Sequence, residues 1–381
     1  MKPLRIFFTS RKYFAIGFSF AAISFLFSTW IIYIPFTAEK LDLDEKQIGL
    51  ALFFISLGAF TIMPLSSRIL DALGEGKAVV ITILTLSTLL ILPFLAETKF
   101  LLYTSLYFVG ISSGFLGIAV NALVTVVEKQ EKVLIMNGSH GFYSLGGVTG
   151  AGLGGLLASV LNNPVWHAII VLVFMSIVQL LLASSYIHIR THTELKKEHQ
   201  PFNLKPVLGL ALVGFSIMIG EGAIADWSSL YLQRVLDAPT ELIGMGYAGF
   251  SFMMAIGRFY GDKVTAHWGS AKLIQIGCLI GATGLLLVIT ASLIPVLLGF
   301  MLIGLGFSGI IPEIYRLAGS IENVKPSEGI AAVSGTGHVG FLIGPVGLGY
   351  IAGLMGLQAS FGVLLLITLF SFIMSRVALK V

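Results

Sequence analysis

The sequence predicts an all-α membrane protein: twelve transmembrane helices in two pseudo-symmetric six-helix bundles. Three observations carry that expectation. Hydrophobic residues make up 56% of the 381 and charged residues 11%, against about 25% charged in an ordinary soluble domain. Apolar runs of about 20 residues, the length a helix needs to cross a hydrocarbon core of about 30 Å, recur from end to end. The second half of the chain repeats landmarks of the first in the same order. Alternating strands with polar lumen faces are absent, which disfavours a barrel.

In chain order, the first run, 12–36, follows Lys2, Arg5, Arg11 and Lys12. It is too long for a signal-peptide core and lacks a small-residue cleavage site, so it reads as a retained first helix. Runs 48–70, 77–96 and 99–124 follow after short polar breaks, then 136–161, where Gly146, Gly150 and Gly154 recur every four residues. Such a glycine face allows close backbone approach, either as static packing or as a surface on which the halves rock. Run 165–189 closes the first half. The charged stretch RTHTELKKEHQPFNLK, 190–205, lacks apolar periodicity and reads as a linker. The expected organisation is therefore a bundle over 1–189, a cytoplasmic linker over 190–206 and a second bundle over 207–381. That second bundle comprises runs 207–232, 242–264, 272–291, 293–318, 328–353 and 357–377, with spaced glycines at Gly340 and Gly344 and at Gly349 and Gly353.

With the N-terminus inside, 19 of the 23 Lys and Arg residues fall on the cytoplasmic side, leaving Lys40, Lys46, Lys99 and Arg234 outside. This is the asymmetry of the positive-inside rule; it predicts a multi-pass inner-membrane protein with both termini cytoplasmic. The net charge of +4 is thus a topology signal, and no basic cluster is dense enough for nucleic acid. A lone Cys278 excludes a disulfide framework and a cysteine metal site. No cofactor or metal is expected.

The repeat is explicit. LDLDEKQIG (41–49) matches LDAPTELIG (236–244) at an offset of 195, and STWIIYIP (28–35) parallels ADWSSLYL (225–232) at 197, aligning Trp30 with Trp227. GFLGIAVN (114–121) parallels GFSGIIPE (306–313), and GVTGAG (147–152) parallels GPVGLG (344–349). Parallel order and an even helix count per half place the pseudo-two-fold along the membrane normal. Segments 3, 6, 9 and 12 carry long charge-free stretches and suit a lipid-facing periphery. Segments 1, 4, 7 and 10 carry the large polar groups: Trp30 and Tyr33, Asn121, then Glu221, Asp226 and Trp227, then Glu313 and Arg316. Every third helix is therefore expected to face a wet crevice between the halves.

These features resemble the major facilitator superfamily over essentially the whole chain. Its signature between helices 2 and 3 is similar to SRILDALGEGK, where Ser67 replaces the first glycine while Asp71, Gly74 and Lys77 match. The second copy, GRFYGDKVTAHWGSAK, supplies Gly257, Arg258, Asp262, Gly269 and Lys272. The resemblance implies the major facilitator fold, a cavity lined by helices 1, 4, 7 and 10, and a gating role for Asp71, Gly74, Lys77, Arg258, Asp262 and Lys272. GFLIGPVGLG (340–349) is similar to a glycine–proline motif of the superfamily's antiporters, but it lies on helix 11 and helix 5 has no equivalent of Pro345, so antiport does not follow. Within the superfamily the chain resembles the fucose-permease-like sugar transporters and their poorly characterised bacterial relatives. It departs from them where they carry acids on helices 1 and 4, offering Ser24, Ser28, Thr29 and Asn121 instead.

Glu221 lies near the middle of segment 7 between Gly220 and Gly222, where an ionised group costs several kcal/mol and usually faces a cavity, pairs or relays protons. It is a candidate proton site and substrate contact, with a structural bond as the alternative. Asp226, five residues on and about 140° around the helix, is a second coupling candidate, a gate, or an interfacial acceptor. Glu313 and Arg316, three apart, either pair with each other or serve substrate, Arg316 holding an anionic or hydroxyl-rich solute and Glu313 assisting coupling. Asn121 would add neutral hydrogen bonds. His140 and His338 are either coupling and binding groups or satisfied interhelical hydrogen bonders. Trp30, Tyr33, Trp227 and Tyr231 are sugar-stacking faces or interfacial anchors.

The function these residues point to is secondary active transport of a small polar, sugar-like solute by alternating access, proton-coupled symport, in a monomer embedded in lipid. Proton-driven efflux of amphipathic compounds and a non-transporting sensor or assembly partner are the alternatives. No Ser and His dyad or metal site supports an intramembrane enzyme.

Overall fold

The structure, a computed structural model, describes residues 2–133, 135–161, 163–190, 207–321 and 326–379. The expected linker lies outside the described residues apart from Arg190. Twelve of the described helical segments are long and apolar enough to cross a membrane. The chain divides into two compact units, one of Met1–Glu194 with Pro239–Ala248, the other of Leu195–Ala238 with Gly249–Val381.

The first unit contains α1 (Lys2–Thr9), α2 (Arg11–Lys40), α3 (Glu45–Leu73), α4 (Glu75–Leu89), α5 (Leu92–Leu95), α6 (Lys99–Glu131), α7 (Met136–Leu161) and α8 (Pro164–Ala183). Local chemistry sets their ends. A capping box opens α3: Asp44 accepts from the Gln47 N–H at 2.8 Å and the Gln47 side chain accepts from the Asp44 N–H at 3.2 Å, satisfying two donors a helix start leaves over. Thr98 caps α6 and Asn163 caps α8. Glu128 accepts from the N–H groups of Ile135 and Met136 at 2.7 and 2.8 Å, placing a carboxylate at the positive start of α7. At the same end of the unit Glu131 is bonded by Lys12 and Tyr13, and Arg11 donates to the Leu181 carbonyl at 2.6 Å. We call this the basic end.

The second unit contains α9 (Leu208–Arg234), α11 (Met245–Ile289), α12 (Leu293–Phe307), α13 (Ile310–Ala318), α14 (Pro326–Met355) and α15 (Leu357–Leu379). The short α10 (Thr240–Ile243) clusters with the first unit, where Gly155 and Gly244 let it meet α7 closely. Two membrane-length spans run through α11, which breaks at Gly269.

The backbone carries the duplication independently of side chains. Asp42 and Asp237 both take positive φ, 49° and 46°, and Gly74 and Gly269 take φ 79° and 80°. Each pair is separated by 195 residues, the offset read in the sequence. At Gly74 and Gly269 the chain leaves one helix for the next through a conformation that L side chains rarely adopt.

Both glycine faces act inside a unit. Cβ atoms at Gly146 and Gly150 would strike α2 at Ala21, Phe25 and Ser28, and those at Gly337 and Gly340 would strike α9 at Met218 and Phe215. These contacts are tight helix packing within each unit. A second crossing repeats as well: a Cβ at Gly110 would run into the Ile55 carbonyl, and one at Gly304 into the Phe250 carbonyl. Gly110→Ala is therefore expected to force α3 and α6 apart and to cost about 1–3 kcal/mol, seen as a lowered Tm in detergent. An unchanged Tm would show that the crossing yields without cost.

The lipid-facing expectation is met by α8 and α15, where 28% and 22% of the most apolar window is buried. Spans 3 and 9 are more buried, at 56% and 50%, and still expose Ile81, Leu92, Leu279 and Leu286. Absence of charge suits protein interior and lipid equally, so it does not separate the two.

Candidate functional site

Within the second unit, four helices bring polar groups together in an otherwise apolar bundle. Glu221 stands at the midpoint of α9. One of its carboxylate oxygens lies 4.0 Å from the Arg258 guanidinium of α11, and the other is buried without a hydrogen bond among the described residues. Tyr315 of α13 lies within electrostatic range of Glu221 and is hydrogen-bonded to Ser334 of α14. One turn further along α14, the His338 Nδ1 lies 2.7 Å from the Ser334 carbonyl oxygen. Glu221 thus has Arg258 beside it, and Tyr315, Ser334 and His338 lie on the neighbouring helices α13 and α14.

The glycines that flank Glu221 serve packing. A Cβ at Gly220 would strike Phe307 and one at Gly222 would strike Phe341. The glycines admit two aromatic rings beside the acid, and α9 stays helical through them.

Glu313 of α13 forms a neighbouring cluster within the second unit. Its buried carboxylate accepts from the Thr265 hydroxyl at 2.8 Å and lies 3.0 Å from the half-exposed Arg316 guanidinium. Its second oxygen is buried without a hydrogen bond among the described residues. The internal ion pair, one of the two readings for these residues, is present.

The remaining candidates lie elsewhere. Asp226 is buried near the far end of α9, with no hydrogen bond or ion pair among the described residues. Trp227 is buried beside it, and its indole N–H, like that of Trp30, has no acceptor among the described residues. Tyr231 donates to the Val288 carbonyl at 2.6 Å and packs on Phe361 and Phe300. Tyr33 lies 3.1 Å through its hydroxyl from His167 Nδ1 and packs on Phe94. These rings are buried inside their own units. Asn121 donates to the Gly117 carbonyl of its own helix at 2.8 Å, which commits one amide donor locally. His140 packs edge-on against Phe20.

Of the gating residues, Asp71, Lys77 and Lys272 are exposed, and Gly74 abuts Arg190. The Asp262 side chain lies outside those described. Arg258 turns inward to Glu221, a pairing that the motif reading did not anticipate. Tyr315, Ser334 and His167 were also missed. Helical spacing offers a signal for one of them, since Ser334 precedes the singled-out His338 by four residues.

Residues 13–321 match the family model described as Major Facilitator Superfamily. The chain belongs to this superfamily. This major facilitator is 30% identical to an uncharacterised MFS-type transporter of Yersinia pestis over 90% of its own length and 89% of that protein's. Its fold is similar to that of a mutant of the nucleoside transporter NupG, with TM-score 0.70 at 10% identity, covering 95% of this chain and 99% of that one. It is equally similar to an inward-facing bacterial homologue of the human lysosomal transporter Spinster, with TM-score 0.70 at 15% identity over 100% and 98% of the two chains. The protein is a multi-pass membrane transporter, not an enzyme.

Proposed function

We propose that this transporter moves a small polar, sugar-like solute by proton-coupled symport with alternating access, and that Glu221 carries the proton. The observation that supports it most directly is the acid at the centre of α9, loosely paired with Arg258 and with one oxygen unpartnered. A buried charge without a close partner is costly. Proton binding at Glu221 relieves its half of that cost and frees Arg258, with Tyr315 and Ser334 at hand, to hold hydroxyl or anionic groups of the solute. Proton and solute would then load together. Glu313 and Arg316, already paired, position α13 against α11 in this reading, while Asp226 is a second carboxylate that a coupling cycle could use. The distribution of Lys and Arg supports an inner-membrane orientation with both termini in the cytoplasm.

The test is transport by purified protein in proteoliposomes, after a thermal-shift screen of monosaccharides, cyclitols, nucleosides and amphipathic cations. A hydroxyl-rich solute should stabilise the protein and accumulate when the outside is acidic, and a protonophore should abolish the accumulation. Accumulation that survives the protonophore refutes proton coupling. Stabilisation by amphipathic cations alone replaces this reading with efflux.

A further inference from the structure

A groove of about 190 Å³ opens on α11, between its two spans and the α12–α13 segment. On the part of α11 before Gly269 it is lined by Gly257, Tyr260, Gly261, Val264 and Trp268, a stripe at helical spacing separate from the line of Arg258 and Thr265. The walls are largely glycine and aliphatic. Of the polar groups, the Ser308 hydroxyl already donates to the Leu305 carbonyl at 2.7 Å. Ligand pockets for compact solutes run to roughly 300–1,000 Å³ with convergent polar groups. This groove is smaller, lacks such convergence and suits something thin and apolar.

Its mouth has the opposite character. Tyr260 and Trp268 are 51% and 49% exposed, and the Lys263 ammonium stands 5.5 Å over the Tyr260 ring. His267 neighbours Trp268 with ring centroids 6.5 Å apart, and Lys272 is also exposed. From Gly257 to Trp268 the stripe extends about 16 Å at roughly 1.5 Å per residue, close to half of a hydrocarbon core of about 30 Å. Tyr and Trp are side chains that bilayer–water interfaces favour, and exposed cations are the groups that attract lipid phosphates.

We propose that this groove binds an anionic membrane phospholipid, one acyl chain lying along the glycine-walled slot and the phosphate resting on Lys263. Tyr260 and Trp268 flank the glycerol region, and the uncharged walls give no preference among chains. The preference for negative headgroups comes from Lys263, whose ammonium stands at the mouth over Tyr260.

The experiment uses the full chain in phosphatidylcholine vesicles carrying a minor fraction of dibrominated-chain phosphatidylglycerol or dibrominated-chain phosphatidylcholine. Bromine quenches nearby tryptophan, and the difference between wild type and Trp268→Phe isolates Trp268 from the other three tryptophans. Brominated phosphatidylglycerol should act at about one-fifth the fraction needed of brominated phosphatidylcholine, the factor that one lysine near the surface provides. Lys263→Gln should bring the two lipids to parity. Gly261→Leu should weaken quenching by both, because a side chain there enters open space in the groove. Equal quenching by both lipids in wild type, unchanged by Gly261→Leu, would mean ordinary boundary lipid and overturn the proposal. So would a wild-type dimer that Gly261→Leu converts to monomer, since the groove would then seat a second copy. Should Gly261→Leu fail to fold, the surface variant Lys263→Gln still decides: a wild-type preference that it leaves intact refutes the headgroup assignment.

Discussion

Glu221→Gln is expected to abolish uphill accumulation of solute while leaving solute exchange across the membrane intact. Glutamine keeps the shape of the side chain and its capacity for hydrogen bonds, and removes only the proton site and the charge. A pH gradient of one unit is worth about 1.4 kcal/mol per proton, and about 1.4 kcal/mol is a factor of ten in a concentration ratio. A one-proton symporter under that gradient therefore sustains about tenfold accumulation, and the variant should bring it to parity. Counterflow, in which labelled solute exchanges for unlabelled solute without net proton movement, should persist. Glu313→Gln is the matched control. Its carboxylate is occupied by Thr265 and Arg316, so this variant should lose stability and retain coupling. Wild-type accumulation in Glu221→Gln would move the proton site elsewhere, with Asp226 the next carboxylate to replace.

Arg258→Met should destabilise the protein more than Arg258→Met combined with Glu221→Gln. Removing one member of a buried ion pair leaves the other charge uncompensated, at a cost of about 3–5 kcal/mol. The 4.0 Å separation and the 20% and 17% exposure of the two side chains put the expected loss at the lower end, about 3 kcal/mol. Making Glu221 neutral removes the stranded charge, so the double variant should recover most of the lost Tm. The coupling from such a double-mutant cycle is expected within about 0.5–3 kcal/mol, measured by thermal unfolding in detergent. Additive single effects would show that Arg258 serves the loop end of its helix and not Glu221.

The repeat sharpens the meaning of Glu221. At the offset of 197 that aligns Trp30 with Trp227, its counterpart in the first unit is Ser24. Ser24 is buried, with a hydroxyl that has no hydrogen bond among the described residues. The two units share a backbone plan, down to the positive φ of Asp42 and Asp237, and differ in chemistry at this position. A charge that duplication would have placed twice is present once, which fits a single coupling site.

Much of this was legible in the chain itself. Membrane residence follows from the length and apolarity of each run, the span count from the polar breaks, and the duplication from LDLDEKQIG and its later copy, because all of these are local along the sequence. Segments 7 and 10 stood out as chemically special because acids are rare in apolar stretches. The partners that the sequence left out have a common origin. Tyr33 and Tyr231 sit at matched helix ends like interfacial anchors, yet their hydroxyls meet His167 and Val288. Asn121 looked free to bind and spends an amide hydrogen on its own helix.

By itself, then, the sequence determined that this is a twelve-span duplicated membrane protein with an acid in the middle of its seventh span. Only the tertiary structure decided that Arg258 faces that acid, that Tyr315 and Ser334 join it, and that the glycine faces close each unit on itself. The reason is geometric. Hydrophobic length and internal repetition are written in neighbouring residues, whereas a side chain's partner depends on how its helix is rotated. That rotation is set by contacts such as Gly110 on Ile55 and Gly340 on Phe215, which join residues far apart in the chain.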